Sequence, residues 1–499
     1  AGRNGIWAFV LRNSFRPALV AGRFNGVATN PPWLALSKIG SNPYRDALKA
    51  KADRYGIKAP GASHLHVEIA TIFLLHAIDR YLTPGAVIAC ILPDTVLNGT
   101  HHEPFRSAEY LSASRPVPFD PKEIWKVASQ TFKNEAIVLF GRKAQPRAPA
   151  TKFVGREVGR YSDSNTTYHV VTSGGRTAWT TETPASAIEV KSAESIGPLF
   201  RQGADVMPRG IIFHAALKNG GGWNLGPITA ASPLYYLRSD GKVLADFALT
   251  ASGVSDQVMF DVLLSKHLAP YELATGAKGL LPLKYGASGW EVRTGPALAA
   301  LGGSTAGAIK KALAANNNKT LDQFFARVDT NRKKLTNQRW TGQDWLVFAS
   351  AGGKLPCAAY VRGDQIPCAK TIIDQTLYWG RVGSEDEAIY ITALINSPAV
   401  IDVIVAHQPR GAFGERHIHK LAFDRTPMFD PTNPKHCAVV KAARALLSAW
   451  SVRRMQSDIQ QLLSPDKHMI TRRKKIRAAI ESLPGWTAYA RAVAAVYGL

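Results

Sequence analysis

The chain sets an amide, two prolines and an indole in succession, Asn30-Pro31-Pro32-Trp33, directly after the apolar run Gly26-Val27-Ala28-Thr29. In that order these residue types offer two hydrogen-bond acceptors, an amide oxygen and a fixed carbonyl, beside an aromatic face. The apolar run reads as a buried strand. The two prolines forbid helix or ladder pairing just past its carboxyl end, so the carbonyls there are held in fixed directions. Open α/β sheets place their ligands at the carboxyl ends of strands.

Such a loop needs elements to position it, and the sequence offers them in order. From His66 to Leu82, the residues Val67, Ala70, Leu74, Ala77, Ile78 and Tyr81 fall on one apolar face, which predicts a helix. Pro84-Gly85 ends it, and Ala86 to Leu92 predicts a second apolar strand that stops at Pro93-Asp94. Glu123 to Val127 and Ala136 to Phe140 are two short β-like runs around a polar turn with Lys133-Asn134. Strand, helix and strand in succession predict a parallel α/β sheet. Gly5 to Leu11 reads as a helix or strand-like lead-in beside the motif strand, and the polar, basic stretch from Ser41 to Pro60 as a mobile segment at the mouth of the site.

In this setting Asn30 to Trp33 resembles the motif of DNA methyltransferases specific for the exocyclic amino group of adenine: Asn or Asp, Pro, Pro, then Tyr, Phe or Trp. The strand, helix, strand and closing hairpin follow that family's order over residues 20 to 143. The resemblance implies an α/β fold: the carboxyl part of a Rossmann-like methyltransferase sheet (residues 1–145), then an α+β target recognition domain (146–435) and a helical tail (436–499). It implies S-adenosylmethionine as cofactor and double-stranded DNA as partner. It also implies a restriction-modification or phage-defence system, whose other subunits are further partners. The side-chain oxygen of Asn30 and the carbonyl of Pro31 would accept the two amino hydrogens and draw the delocalised nitrogen lone pair towards tetrahedral geometry. Pro32 fixes the turn, and Trp33 would stack on the extruded base. Extrusion costs roughly a few kcal/mol, of which stacking returns about 1 to 3 kcal/mol. Methyl transfer is direct, so no catalytic cysteine is needed.

The family's cofactor loop and its acidic ribose-binding residue precede the motif, whereas 29 residues precede Asn30 here. Lys218 to Gly222, Leu301 to Ser304 and Ala351 to Lys354 are glycine-containing, but each lacks the strand-turn-helix setting of a nucleotide cradle. The cofactor site is therefore expected upstream of Ala1, in a longer protein.

Sixty-one Lys and Arg stand against 37 Asp and Glu, a formal charge of +24 spread along the chain of 499 residues. Nucleic acid is the natural polyanionic partner; a basic surface serving solubility alone is the other reading. Candidate DNA contacts are Arg209, in a turn entering a strand expected within Gly203 to His214; Arg332, Lys333, Lys334 and Arg339, among amides and Trp340; and Arg410, Arg416 and Lys420, around Gly411 and Gly414. Arginine and amides read base edges, and lysine serves phosphates. A solvated face is the other reading of the 331–340 cluster, and it is the first reading of Arg472-Arg473-Lys474-Lys475 in the helical tail, with phosphate contact second. Lys143 to Pro184 reads as a boundary followed by irregular β structure.

Four scattered cysteines, Cys90, Cys357, Cys368 and Cys437, form no disulfide framework or zinc ribbon and suit a reducing cytoplasm. The histidines at 64 and 66, 101 and 102, and 417 and 419 lack Cys or acidic partners at ligand spacing, so no metal is expected. No apolar run long enough for a membrane span is present. A nuclease would need Pro93-Asp94 to act with Glu189-Val190-Lys191, too distant in sequence and in unrelated settings. A non-catalytic DNA-binding or assembly subunit with a remnant methyltransferase half stays open.

Overall fold

The computed structural model describes residues 17–58, 67–128, 131–132, 134–159, 163–173, 176–181, 194–229, 232, 234, 237, 249–350, 355–401, 410–411, 414–415, 421–466 and 468–498. The readings made for residues 5–11, 64, 66, 189–191, 351–354 and 416–420 lie outside them, as do the side chains of Arg332 and Arg410. The chain divides into two compact units, residues 1–189 with 402–418, and residues 190–401 with 419–499.

The first unit is built on a seven-stranded mixed sheet. Strand β1 (Phe24–Thr29) runs parallel to β2 (Leu82–Pro93), with Val27 opposite Ile88 and Thr29 opposite Cys90. The crossover carries helices α1 (Pro43–Arg54) and α2 (Ile69–Tyr81). The predicted apolar face of α2 is present and wider than its periodicity suggested: Ile69, Ile72 and Leu75 are buried beside Ala70, Leu74 and Ile78.

Helix α1 corrects the expectation of a mobile segment. The Asn42 side chain accepts from the Arg45 backbone N–H at 2.9 Å, and Pro43 occupies the first turn. That pair is a strong helix start. Burial of Leu48 and Ala52 holds the otherwise polar helix down.

Strands β3 (Phe119–Val127) and β4 (Ala136–Lys143) form the expected antiparallel hairpin, and β4 also pairs antiparallel with β2. The hairpin does not close the sheet. Strand β5 (Lys152–Val158) adds parallel to β3, and β6 (Asp163–Ser173) and β7 (Arg176–Thr180) follow antiparallel, giving the order β1-β2-β4-β3-β5-β6-β7. The stretch expected to be irregular thus continues the sheet past residue 145. Its strands are one-sided: Phe153 and Gly155 are buried while Lys152 and Val154 are exposed. Alternation of this kind needs few apolar residues. A Cβ on Gly155 would meet the Tyr168 ring at 2.7 Å, so only glycine fits there. Phe105, Phe119, Phe153 and Trp179 form an aromatic core on this side of the sheet, with ring centroids 4.8 to 6.2 Å apart.

The second unit is α/β as well. A four-stranded antiparallel sheet (Arg201–Gln202, Trp345–Ser350, Ala358–Arg362, Leu377–Val382) carries the buried helix Glu385–Asn396. Two three-stranded sheets and the helices Gly303–Ala315 and Leu321–Val328 make up much of the rest. The strand expected within Gly203 to His214 is a short helix, Arg209–Ile212, and Phe213 makes a single bridge to Gly279. Ile211, Ile212 and Phe213 are all buried, and a short apolar run does not distinguish strand from buried helix.

Four helices end the chain, Pro434–Arg453, Ser457–Leu463, Met469–Glu481 and Trp486–Tyr497. Arg472 and Arg473 are not on a solvated face: both are 1% exposed. Arg472 donates to the Leu268 carbonyl at 2.9 Å, and Arg473 to the Ser265 carbonyl at 2.7 Å and the Ser265 hydroxyl at 3.0 Å. Among the described residues no helix is long and apolar enough to cross a membrane.

Candidate catalytic loop and nucleic-acid contacts

Asn30 is exposed at the carboxyl end of β1, with Pro31 buried behind it and Pro32 exposed. The loop is tied on both sides. The Trp33 indole N–H donates to the Ile91 carbonyl of β2 at 3.3 Å, and its half-buried ring lies 5.5 Å from that of Phe132. Just beyond, the Leu36 N–H donates to Val67 at 3.1 Å and the Ile69 N–H to Leu34 at 3.0 Å, which fastens the loop to the start of α2. The motif therefore sits at the joined carboxyl ends of two parallel strands, as its position after a strand led us to expect, but β1 is exposed or half-buried along its length and not the buried strand its apolar run suggested, because it is the edge of the sheet.

Around it, β2 ends in a turn, Asp94–Leu97, whose first residue is buried and donates its N–H to the Glu135 carbonyl at 3.1 Å. The backbone hairpin of Arg410–Gly411 and Gly414–Glu415 lies beside this turn and groups with the sheet unit. Buried Arg106 braces the turn from behind, donating to the Val96 carbonyl at 3.0 Å, to the Thr177 carbonyl of β7 and to Glu103 at 2.9 Å. Burial lowers its pKa to about 10, against the raising effect of Glu103. Cys90, opposite Thr29 in register, is fully buried, and that burial pushes its thiol up to about 12. It is no nucleophile at neutral pH.

Sequence spacing hid one neighbour. Glu68, directly before α2, faces His101 and His102, which follow β2, with carboxylate to Nε2 distances of 3.8 and 3.9 Å. Burial, then the adjacent His101 and Arg106, hold His102 well below the usual imidazole range. The helix and strand between residues 68 and 101 run out and back, so their ends meet. Nothing in linear spacing shows that.

The candidate DNA contacts are unequally placed. Arg209 lies 3.5 Å from the carboxylate of fully buried Asp374. Lys334 donates to the Gln202 side chain at 2.8 Å, and Arg339, exposed, donates to the Thr336 carbonyl at 3.3 Å and to the Ser288 carbonyl. Lys333 is exposed, with φ of 57° at the end of the short helix Thr330–Lys333, which also contains Arg332. Gln338 is buried, its amide bonding both the N–H and the carbonyl of Ile373 at 2.8 Å. The fold brings Arg332, Lys333, Lys334 and Arg339 into one helical turn and the loop after it.

Of the glycine-rich stretches, Gly220-Gly221 turns a β-hairpin and Gly302-Gly303 joins two helices. Among the described residues neither is a cofactor cradle.

No family model matches the sequence, and no curated protein matches it. Solved structures do. The type IIL restriction-modification enzyme MmeI, determined in complex with DNA, aligns over 98% of this chain with a TM-score of 0.55 at 13% identity. A DrdV–DNA complex aligns over 88% of the chain and 45% of its own at 10% identity, with a TM-score of 0.45. The chain spans 58% of the MmeI chain. It is thus a mixed α/β protein whose fold is similar to that of a restriction-modification enzyme.

Proposed function

We propose that this chain carries the catalytic loop and the target recognition domain of an adenine-specific DNA methyltransferase acting in restriction-modification or phage defence. The observation that carries the reading is the placement of Asn30: an exposed amide at the carboxyl end of a parallel strand, followed by a buried proline and a tryptophan anchored to the neighbouring strand. Fold similarity to MmeI supports double-stranded DNA as the partner.

In this reading the Asn30 side-chain oxygen and the Pro31 carbonyl accept the two hydrogens of the target amino group. Because the prolines and the Trp33 bond hold the backbone of the loop, the Pro31 carbonyl needs little reorganisation as the nitrogen becomes nucleophilic. Trp33 stacks against the extruded base. The high pKa of Cys90 fits a transfer without a covalent enzyme intermediate. S-adenosylmethionine would supply the methyl group. The cradle for it is expected upstream of Ala1. The alternative reading is a DNA-binding or assembly subunit with a remnant catalytic half.

Residues 146–435 would recognise the target and residues 436–499 support them. Lys333 and Arg339 are the best placed of the cations to reach phosphates. Arg410 and Arg416 lie by glycines that allow close approach to a groove, and Lys420 follows in the same segment. Arg209 is better suited to holding Asp374.

Tritium transfer from labelled cofactor to DNA, measured with the full-length protein, tests the proposal. Asn30→Ala should abolish transfer and leave DNA affinity within about a few-fold, because the amide acts on the reacting group rather than on the duplex. Near-normal transfer by that variant would overturn the catalytic role. Transfer absent from the unmodified protein, with DNA binding intact, would select the second reading.

A further inference from the structure

Glu68, His101 and His102 form a cluster that the amino-group chemistry does not use. Three of its atoms, one Glu68 carboxylate oxygen and both Nε2 atoms, are buried without a hydrogen-bond partner. They face one another: all the ligand atoms of the group lie within 4.8 Å, and the two imidazole rings are 4.3 Å apart. Buried polar atoms are rarely left unmatched, and three converging on one point call for a shared partner. His102 is 1% exposed, so bulk water does not supply it.

We propose that Glu68, His101 and His102 hold a divalent transition-metal ion of the zinc class. Two imidazoles and a carboxylate are a donor set that suits zinc, with a fourth position left for water. A zinc ion holds its ligands tetrahedrally at about 2.0 to 2.2 Å, which sets the donors roughly 3.3 to 3.6 Å apart. The measured 3.8 and 3.9 Å are slightly wider, so binding draws the three donors inward by a few tenths of an ångström.

The position gives the ion a task. Glu68 forms a bridge with Ala35, flanked by the Leu34–Ile69 and Val67–Leu36 bonds, so its backbone is fastened to the segment directly after Trp33. His101 and His102 belong to the segment that leaves β2. A bound ion links the exit of the Asn30–Trp33 loop to the exit of β2 and braces it from behind. The site stands apart from the proposed methyl transfer and can be tested without it.

The probes are Zn²⁺ and Co²⁺ alone, added to the full chain after treatment with a chelator. Unmodified protein should bind one Co²⁺ with the intense visible band of four-coordinate cobalt, lose that band on adding zinc, and unfold at a higher temperature when zinc is present. Glu68→Gln and His101→Gln, both at partly exposed positions, should each weaken zinc by more than about tenfold, the least that loss of even an outer partner costs. They should also abolish the thermal shift. Failure of the unmodified chain to bind either ion would overturn the proposal. Equal binding by both variants would overturn it too, since the ion would then belong to other histidines. If one variant does not fold, the other carries the test.

Discussion

Replacing Arg106 by methionine should destabilise the sheet unit by about 3 to 5 kcal/mol, the usual cost of removing one partner from a buried ion pair. Arg106 is 5% exposed, and its guanidinium reaches three separate elements: the turn after β2 through Val96, its own short helix through Glu103, and β7 through Thr177. Methionine fills much of the volume but leaves two carbonyls without this donor and the Glu103 carboxylate, among the described residues, with the Thr177 N–H at 2.6 Å. At about 1 to 3 kcal/mol for each stranded group, the sum reaches the same range. For a unit of this size the melting temperature falls by roughly 2 to 4 °C per kcal/mol, so a drop of about 6 to 20 °C is expected by calorimetry. Adding Glu103→Gln to the variant should recover part of the loss, because an amide still accepts from Thr177 and no half-buried charge is left without its counter-ion. A single-variant loss below about 1 kcal/mol, or a double variant less stable than the single, would refute the reasoning.

His267 should make the second unit acid-sensitive. Burial holds its imidazole down to about 3, and its Nδ1 accepts the Leu264 N–H at 2.9 Å, so it is neutral when folded. Unfolded, it takes up a proton below its ordinary 6.5; stability is full above that pH and is lost as pH falls towards 3, by roughly 1.4 kcal/mol per unit. Denaturant midpoints measured from pH 7 to pH 4 should fall less steeply for His267→Gln, and equal slopes would place the sensitivity elsewhere. On DNA, Lys333→Ala should weaken binding to every sequence alike and flatten the plot of log affinity against log salt by about 0.9. Arg416→Ala should instead relax preference at one base, at a cost of about 1 to 3 kcal/mol. A duplex library in which both variants lose affinity uniformly would reduce the 410–420 segment to an electrostatic patch.

The motif and its immediate frame were legible because two simple signals agree there. Proline pairs stop strands, and apolar periodicity fixes α2, β2 and the β3–β4 hairpin. Helix α1 escaped because its composition is polar, although Asn42-Pro43 announces its start. The three added strands escaped because each buries one face, and the Ser and Thr residues of β6 look like loop when read singly. Burial of Arg472, Arg473 and Gln338 could not be read at all, since their partners are backbone carbonyls and N–H groups far along the chain. Charge and amide content report what a side chain offers, whereas tertiary structure decides whether solvent, DNA or the protein's own backbone accepts it. Glu68 belongs with these cases: its approach to His101 and His102 depends on the return path of α2 and β2.

The two buried arginines near the end of the chain also set an order of events during synthesis. The carbonyls of Ser265 and Leu268 are capped by donors more than two hundred residues later, at sequence separations of 208 and 204. At about 5 to 20 residues per second, a ribosome takes roughly 10 to 40 s to deliver those donors after the acceptors have emerged. Throughout that interval the segment around Leu268, whose side chain is buried in the finished core, has to wait without the arginines that cap it. A nascent chain stalled shortly before residue 472 therefore leaves those two carbonyls without these donors, and emergence of the helix Met469–Glu481 supplies them.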